Sequence, residues 1–304
     1  MTIDGLRRVL AVVAVVAVTG CISVSTQSVQ SDATSVPDRP GFEVASVRPV
    51  LKDNPRRGLI DDFADAEMAK IGLMQTAQKG RFRTSGFSVH TLIQLAYDVK
   101  GFQIDGGPSW VRSDRFEIEA RTAGPASAGE VRGMFRSLLA DRFRLMVRLE
   151  ARTMPVYELV AARGGLKIAP LKDGECITLN EKMRPIPMDL AKPTYICGGV
   201  RRKVVTLPPE RMDRIEAGGI AMSWLVDMLA DDVGRTVIDR TGFTEPFNLL
   251  LDFAPHRDLA VDSGASSAPT IFTAIEEQLG LRLRATTGPV DVVVIERVER
   301  PSEN

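Results

Sequence analysis

From residue 42 to residue 162, apolar residues recur with helical and strand periods on either side of a charged stretch at 51–80. A stripe at helical spacing follows Ser88, and Glu130–Asp141 carries a second stripe. Period-two alternation predicts strands at five places, which are 42–48, 82–87, 115–120, 143–150 and 156–162. The last two are predicted to form a hairpin that turns around Pro155.

The same order of elements recurs in the second half of the chain. Helices are predicted from Ser223 to Val233 and from Thr270 to Leu279, the latter ended by Gly280. Strands are predicted at 236–239, 247–253, 281–286 and 290–298, with the last two again in a hairpin. We interpret this as an internal duplication and predict an α+β fold of two related helix–strand–strand–helix–strand–strand units. Convergence of both halves on a common small α+β pattern is the alternative.

Segments without this periodicity separate the predicted units. Residues 51–80 are charged and irregular, with a short helix predicted at 62–74, and they are interpreted as an insertion. The predicted organisation is a lipoprotein signal peptide at 1–21, a flexible tether at 22–40, a first unit at 41–165, a disulfide-bearing linker at 166–218, a second unit at 219–299 and a tail at 300–304.

The first residues predict export and attachment to a membrane. Arg7 and Arg8 precede the apolar run Val9–Val18, which at ten residues is shorter than the about 20 that a membrane-spanning helix needs. Small residues before Cys21 are typical of a bacterial lipobox, in which the cysteine is lipidated and becomes the new N-terminus. An ordinary secretory signal with a chance cysteine is the alternative. Because Ile22 rather than aspartate follows Cys21, the outer membrane, facing the periplasm, is preferred over the inner membrane.

The charge balance bears on the class of partner, and the two remaining cysteines bear on whether a disulfide forms. The chain has 39 basic and 39 acidic residues, so no positive excess favours a nucleic-acid partner. Cys176 and Cys197 are 21 residues apart and are predicted to form a disulfide in an oxidising compartment. A redox or metal pair is the alternative, but the chain offers no CxxC spacing and no nearby histidine.

No motif predicts metal, nucleotide or hydrolytic chemistry. The two histidines, His90 and His256, are far apart in sequence, and no HExxH, GxSxG or GxGxxG pattern occurs. We therefore expect no cofactor and no metal site. The basic run Arg201-Arg202-Lys203 is predicted to be a solvated loop, with contact to anionic lipid or peptidoglycan as the alternative.

Three residues are candidates for binding: Trp110, Tyr97 and Asp239. Trp110 follows Gly106-Gly107-Pro108, and an exposed tryptophan in such a loop often anchors a partner or a sugar ring, although it can also cover the end of a core. Asp239 begins Asp-Arg-Thr-Gly, in which the arginine interrupts the Asp-Thr-Gly of aspartic proteases. A turn with Gly242 at positive φ is therefore the favoured interpretation.

Several segments together resemble known families. They are Gly80-Arg81-Phe82 leading into Leu92–Tyr97, then Gly106–Trp110, then Val237–Gly242. With the opening strand and the closing hairpin, they resemble the exported soil-associated protein family of unknown function over residues 41–298. The second half is also similar to the short N-terminal domain of secretins and TonB-dependent receptors. That similarity implies a small mixed sheet with two helices that binds another protein's peptide, often at a sheet edge.

These observations favour a binding function over catalysis. The predicted protein is a lipid-anchored envelope module that recognises a peptide or protein along a sheet edge or in a groove between the units. A ligand sensor that signals to a membrane partner shares this prediction and also needs a two-state element. The enzyme alternative is an envelope-polymer hydrolase that uses paired carboxylates among Asp98, Asp105, Asp239 and Asp252, which would need two of them about 5–10 Å apart.

Overall fold

A computed structural model of the protein describes residues 40–50, 80–178, 193, 195–207, 210–254 and 268–301, with only the backbone described at 84, 85, 206, 207, 210 and 211. The predicted signal peptide, tether and short helix at 62–74 lie outside these residues. In the described ranges, no helix is both long enough and apolar enough to cross a membrane.

The first half of the described chain alternates strands and helices much as the periodicity predicts. Its elements are β1 (Val44–Pro49), β2 (Arg81–Ser88), α1 (Val89–Tyr97), a 3₁₀ turn (Gly101–Gln103), β3 (Ile104–Gly106), α2 (Trp110–Ser113), β4 (Arg115–Arg121), α3 (Ala128–Phe143) and β5 (Met146–Ala161). The helix starts follow from side-chain caps. The Ser88 hydroxyl accepts from the Thr91 amide, and Ser127 forms a capping box with Glu130.

From its second strand onward, the second half follows the same order, except that α2 has no counterpart between β8 and β9. Its elements are β6 (Val200–Leu207), β7 (Glu210–Ile220), α4 (Met222–Val233), β8 (Val237–Asp239), β9 (Phe247–Phe253), α5 (Ile271–Ala274), a π-helical turn (Ile275–Leu279) and β10 (Leu281–Arg297). Gly234 and Gly280 end their helices in the left-handed conformation, which glycine adopts without steric cost.

The described strands form three sheets, and the sheet between the two halves takes strands from each of them. The outer sheets have the orders β1-β4-β2 and β6-β7-β9. The central sheet has the order β3-β10-β5-β8. In it β5 and β10 are antiparallel along almost their full length, β3 runs parallel to β10, and β8 runs parallel to β5. The protein is therefore mixed α and β, as predicted.

The predicted hairpins at Pro155 and Pro289 are wrong. Each proline lies inside one long strand, and the two strands pair with each other, with Pro155 opposite Thr287 and Pro289 opposite Thr153. The Tyr157 amide donates to Thr236 on the β8 side, so the backbone at Pro155, two residues earlier, faces the same side and not β10. The missing N–H of proline therefore breaks no β5–β10 hydrogen bond, and the strand continues.

Two apolar cores lie on one face of the central sheet. Val293 lies in the core formed with α1 and α3, whereas Leu281 lies in the core formed with α4 and the π-helical turn. Both residues are odd-numbered positions of β10 and therefore share a face. In the first core, the Phe135 ring meets the ring of Phe82 edge-on at 4.7 Å, a favourable aromatic geometry. Each half of the chain thus buries its helices against its own end of the shared sheet.

The predicted linker at 166–218 contains much of the β6-β7-β9 sheet. Cys176 and Cys197 form the predicted disulfide, with Cα atoms 5.1 Å apart. An isolated bridge joins Cys197 to Gly218 of β7. A Cβ added at Gly218 would lie 2.5 Å from the carbonyl oxygen of Ile196, so only glycine allows this approach. The disulfide therefore holds the preceding chain against the edge of a folded sheet.

Candidate functional site

Trp110 is buried rather than exposed. Its side chain is only 9% exposed and lies in the first core, and the Arg300 guanidinium stacks 4.9 Å above its ring. A buried indole covered by a cation cannot insert into a partner without leaving the core. The structure therefore places Trp110 in a core and confirms the interpretation in which this residue covers the end of a core.

Tyr97 is half-buried at the end of α1. Burial raises the pKa of its hydroxyl, and the nearby Arg136 opposes this to a smaller extent. The Arg136 guanidinium lies 5.2 Å from the ring centre, and its Nε donates to the Ala96 carbonyl at 2.8 Å. The hydroxyl therefore remains neutral at physiological pH, and the ring packs against a cation supplied by its own chain.

The carboxylate of Asp239 accepts hydrogen bonds within its own turn. Its Oδ1 accepts from the Thr241 amide at 2.8 Å and from the Thr241 hydroxyl at 2.7 Å. Gly242 follows with φ of +71°. This is the turn that the sequence favoured, since a short carboxylate that bonds to the backbone two residues ahead stabilises such a bend. The three candidate residues therefore lie in separate local structures.

Each carboxylate of the hydrolase alternative either contacts an arginine or accepts hydrogen bonds within its own turn. Asp98 contacts Arg132 at 2.9 Å, Asp105 contacts Arg152 at 2.6 Å, and Asp252 receives two bonds from Arg214 at 2.6 and 2.7 Å. The hydrogen bond from Arg152 lowers the pKa of Asp105, whereas a general acid needs a raised pKa.

Two of these acids also lie at opposite ends of the central sheet. Asp105 is beside Val294, and Asp239 is beside Leu159, which is opposite Leu283. Eleven residues of extended strand between Val294 and Leu283 span about 36 Å. Asp105 and Asp239 therefore cannot act as a catalytic pair.

The described residues offer no metal site. His90 is buried at the start of α1, where its ring nitrogens lie 3.2 Å from Gln94 and 2.6 Å from Arg112. His256 lies outside the described residues. In the described ranges, no group of three or more His, Cys, Asp or Glu side chains could hold a metal ion.

The eight-residue strand β6 lies at the edge of its sheet. Gly218 donates to Gly199 at 3.1 Å, and the β6–β7 register continues without a shift. The backbone groups of Val200, Arg202 and Val204 therefore point away from β7. Among the described residues no strand pairs with this side of β6. Val200 and Val204 are 45% and 50% exposed, so two apolar side chains border an open edge.

Charged side chains fix β6 from both faces. Glu216, with a side chain only 3% exposed, contacts Arg201 at 2.9 Å and Lys203 at 2.6 Å. On the other face, Arg202 contacts Asp213 at 2.8 Å and Asp232 at 3.2 Å. The predicted solvated loop at 201–203 is therefore wrong, since these residues lie on a strand and neutralise buried acids.

The burial of the Asp232 carboxyl is only partly compensated by its neighbours in this network. Burial raises the pKa of its carboxyl more than Arg202 lowers it, and the negative charges of Asp231 and Asp213 raise it further. Its Oδ2 is buried and accepts no hydrogen bond from the described residues. Arg202 therefore compensates the burial of this acid only in part.

Helix α4, which carries Asp232, also joins the two halves of the chain through an ion pair. Lys100, which follows α1, contacts Asp231 of α4 at 2.7 Å, and both side chains are largely buried. Lys100 also reaches Asp227 at 2.6 Å. These contacts fix the position of α4 relative to α1, and Asp232 on the same helix contacts β6. The open edge of β6 is therefore linked through Asp232 to a helix whose position Lys100 fixes.

A comparison with protein-family models gives one match. The family described as "Protein of unknown function (DUF3738)" matches residues 90–298, more than half of the 304-residue chain. The match confirms the prediction of an uncharacterised family and covers the whole second core and most of the first. Neither the curated proteins nor the solved structures contain a significant match.

Proposed function

The chain belongs to the DUF3738 family, and we propose that it is a non-catalytic module of the cell envelope that binds a peptide or protein at the open edge of β6. The observation that carries the proposal is an eight-residue strand whose outward backbone and two half-exposed valines have no strand partner among the described residues. Natural proteins usually shorten, charge or cover such an edge, since it recruits other strands. An edge kept open is suited to strand addition.

The side chains of β6 specify the kind of segment that fits. On one face Val200 and Val204 would contact apolar residues spaced four apart in an added strand, with Arg202 between the two valines. On the other face Arg201 and Lys203 both contact the carboxylate of Glu216, so this face of β6 is polar. The partner segment is therefore extended, carries apolar residues four positions apart on one face, and is polar on its second face.

The ion pairs that order the side chains of β6 favour binding, because they limit the conformational entropy that is lost when a partner docks. Arg202 is fixed by Asp213 and Asp232, and Glu216 fixes the residues on either side of it. A strand whose side chains are already ordered loses little freedom when a partner docks. The arrangement therefore presents a preformed template rather than a disordered segment that must fold on binding.

Val204→Pro is expected to weaken strand addition. The Val204 amide points away from β7, so proline removes a donor from the open edge without breaking the β6–β7 ladder. Calorimetric titration with a synthetic eight-residue peptide of alternating valine and glutamate should give an affinity lower by about tenfold or more for this variant.

Two further variants make this result interpretable. Val204→Lys keeps the amide and adds a charge that opposes edge pairing, and it should also weaken binding. Val44→Lys changes a valine of similar exposure in another sheet and should leave the affinity unchanged. No saturable binding by the unsubstituted chain, or equal losses in the Val204 and Val44 variants, would remove the edge from the proposal.

Membrane attachment in this proposal depends on Cys21. The supporting observations are the apolar run Val9–Val18 and the small residues before this cysteine. Cys21→Ala is expected to move the protein from the detergent phase to the aqueous phase in Triton X-114 partitioning, since acyl chains supply the membrane affinity. Ser23→Ala is the matched control. A protein that partitions into the aqueous phase with Cys21 intact would contradict lipidation and support an ordinary secretory signal.

The repeated order of elements supports the finer family relationships. From β2 to β5 and from β7 to β10, the chain runs through strand, helix, short strand, strand, helix and long strand, apart from the one-turn helix α2 that the first half adds before β4. We infer an internal duplication from this order, and each copy keeps the strand and helix content of the short N-terminal domain of secretins and TonB-dependent receptors. Those domains bind peptides, which is the activity proposed for β6. Membership of the exported soil-associated family fits the same envelope role.

A further inference from the structure

The first half of β5 has an open backbone edge in the central sheet. β8 pairs with β5 only at Tyr157–Leu159, and no strand of the described chain pairs with this side of β5 before Tyr157. The Tyr157 amide donates to Thr236 on that side, so every odd-numbered residue earlier in β5 also points its backbone groups outward there. Pro155 has no amide hydrogen, so the usable edge is residues 146–153.

Leu149 lies at the middle of this edge with an exposed side chain. The side chain is 66% exposed, the largest fraction among the exposed large apolar residues of the described ranges. Directly opposite on β10, Val293 is fully buried in the first core. The leucine shares that face of the sheet but lies outside the core. An exposed leucine beside unpaired backbone groups favours pairing with a strand of another chain.

Charges of alternating sign follow the other face of the same edge. Arg148 contacts Glu150, and Arg152 contacts Glu150 at 3.2 Å. The side chains of Arg148 and Glu150 are 51% and 34% exposed, so both are accessible to a partner. A row of charges usually prevents pairing at an edge. A row of alternating sign does so only for registers that bring like charges together.

The order of these residues makes the edge complementary to a second copy of itself. In an antiparallel pair with a two-fold axis at Leu149, this leucine lies opposite its own copy, and Arg148 lies opposite Glu150 twice. The two Leu149 residues then exchange backbone hydrogen bonds, since their backbone groups point outward. An axis at Glu150 would instead place Glu150 opposite itself and Arg148 opposite Arg152. An axis at Arg148 would place that arginine opposite itself.

The register with its axis at Ala151 also matches opposite charges, but it is disfavoured by proline. It places Pro155 opposite Val147, where a backbone amide should donate across the pair, and proline has none. It also places Leu149 opposite Thr153 rather than opposite a second leucine. The axis at Leu149 avoids both costs, because its paired range ends before Pro155.

We propose that two copies of this chain pair through β5 around a two-fold axis at Leu149, which joins their central sheets into one continuous sheet. Residues 146–152 of each copy form the seam. The two leucines are buried against each other on one face, and two Arg148–Glu150 pairs form between the copies on the other. This interface goes beyond the proposed peptide binding, since β6 belongs to a different sheet and stays open in the dimer.

The first test measures self-association of the full chain with Cys21→Ala, which prevents acyl chains from causing association. Sedimentation equilibrium at several concentrations should show a reversible dimer. Leu149→Lys places two positive charges opposite each other at the axis and removes the apolar contact, so it should raise the dissociation constant of the dimer by about tenfold or more. Val44→Lys, at a 57% exposed valine of another sheet, is the matched control and should leave the constant unchanged.

A charge exchange tests the register itself. Arg148→Glu places two acids opposite each other across the seam, and Glu150→Arg places two arginines opposite each other. Each variant alone should therefore dimerise about tenfold more weakly. In an equimolar mixture, opposite charges face each other again at both positions, and a mixed dimer should form with nearly the original affinity. Each chain keeps its own substitution in the mixture, so this rescue would exclude misfolding as the cause of the loss.

Each outcome supports or overturns the dimer. A reversible dimer that Leu149→Lys weakens and that the charge exchange restores supports pairing at this register. A monomer at the highest concentration measured, or equal weakening by Leu149→Lys and Val44→Lys, would overturn the proposal. A dimer that the mixed variants fail to restore would overturn the axis at Leu149. Peptide binding at β6 should persist in monomeric Leu149→Lys, so the two proposals fail separately.

Discussion

Gly280→Ala is expected to lower the free energy of unfolding by about 2–5 kcal/mol. Gly280 ends the π-helical turn with φ of +65°, which strains any residue that carries a Cβ. An added Cβ would also lie 2.1 Å from the Gly165 carbonyl oxygen and 2.8 Å from the Lys167 amide nitrogen. Both are backbone atoms, so a side-chain rotation cannot relieve the overlap. The chain after β5 packs directly against this position, and its Ala162 amide donates to the Gly280 carbonyl at 2.9 Å.

Gly234→Ala separates the conformational part of this effect from the steric part. Gly234 also ends a helix, with φ of +63°, but no atom lies within 4 Å of an added Cβ. Its substitution should lower the stability by only about 1–2 kcal/mol, the cost of a left-handed conformation. Urea unfolding of both variants measures the difference. Equal losses at the two positions would mean that the 162–167 segment does not pack tightly against Gly280.

Arg202→Met is expected to destabilise the fold by about 3–5 kcal/mol at neutral pH, because it leaves two buried carboxylates without their shared cation. Methionine keeps an apolar stem that can pack near the Phe253 ring, over which the guanidinium now lies at 5.3 Å. Asp213 and Asp232, with side chains 13% and 6% exposed, would then be charged in a region that excludes water. Urea unfolding at pH 7 measures the loss. Arg297→Met, which breaks an exposed pair with Glu299, is the control and should cost at most about 1 kcal/mol.

The loss in Arg202→Met should decrease as the pH falls. The pKa of Asp232 is already raised in the folded protein by burial, and removing Arg202 raises it further. Between the unfolded and folded pKa values, the folded state binds more protons than the unfolded state, so stability falls as the pH rises through this window. Lowering the pH toward the ordinary value of aspartate, about 3.9, should therefore restore part of the stability.

Adding Asp232→Asn to Arg202→Met assigns the pH dependence to one carboxylate. The double variant should be more stable at neutral pH than Arg202→Met and should vary less with pH, since asparagine carries no charge. A loss in Arg202→Met that is independent of pH, or that Asp232→Asn does not reduce, would show that lost packing rather than buried charge determines the effect.

Local patterns in the sequence predicted most elements and their approximate ends. The helix at 89–97 and the strand at 247–253 follow from caps and from a period of 3.6 or 2, which are properties of neighbouring residues. The prediction of a hairpin turn at Pro155 and at Pro289 was wrong. A proline in an apolar run usually marks a turn, and only the side of the strand that its nitrogen faces decides whether the strand continues.

The candidate sites depended on information that no local pattern contains. Val200 and Val204 belong to a β-branched segment, a signal that could have marked a strand, but the basic run beside them suggested a loop. The open edge of β5 follows only from the β5–β8 pairing, which begins at Tyr157. Trp110 lies in the first core, the second of the two roles that the sequence left open.

The sequence by itself determined most of the helices and strands outside residues 166–218, the face that these elements bury, the single disulfide and membership of an uncharacterised family. Only the tertiary structure decided that β5 pairs with β10 of the other half, that β6 keeps an open edge, and that Arg201–Lys203 neutralise buried acids. The physical reason is that side-chain periodicity specifies which face avoids water. Backbone donors and acceptors are the same in every strand, so the choice of partner is set by the packing of the whole chain.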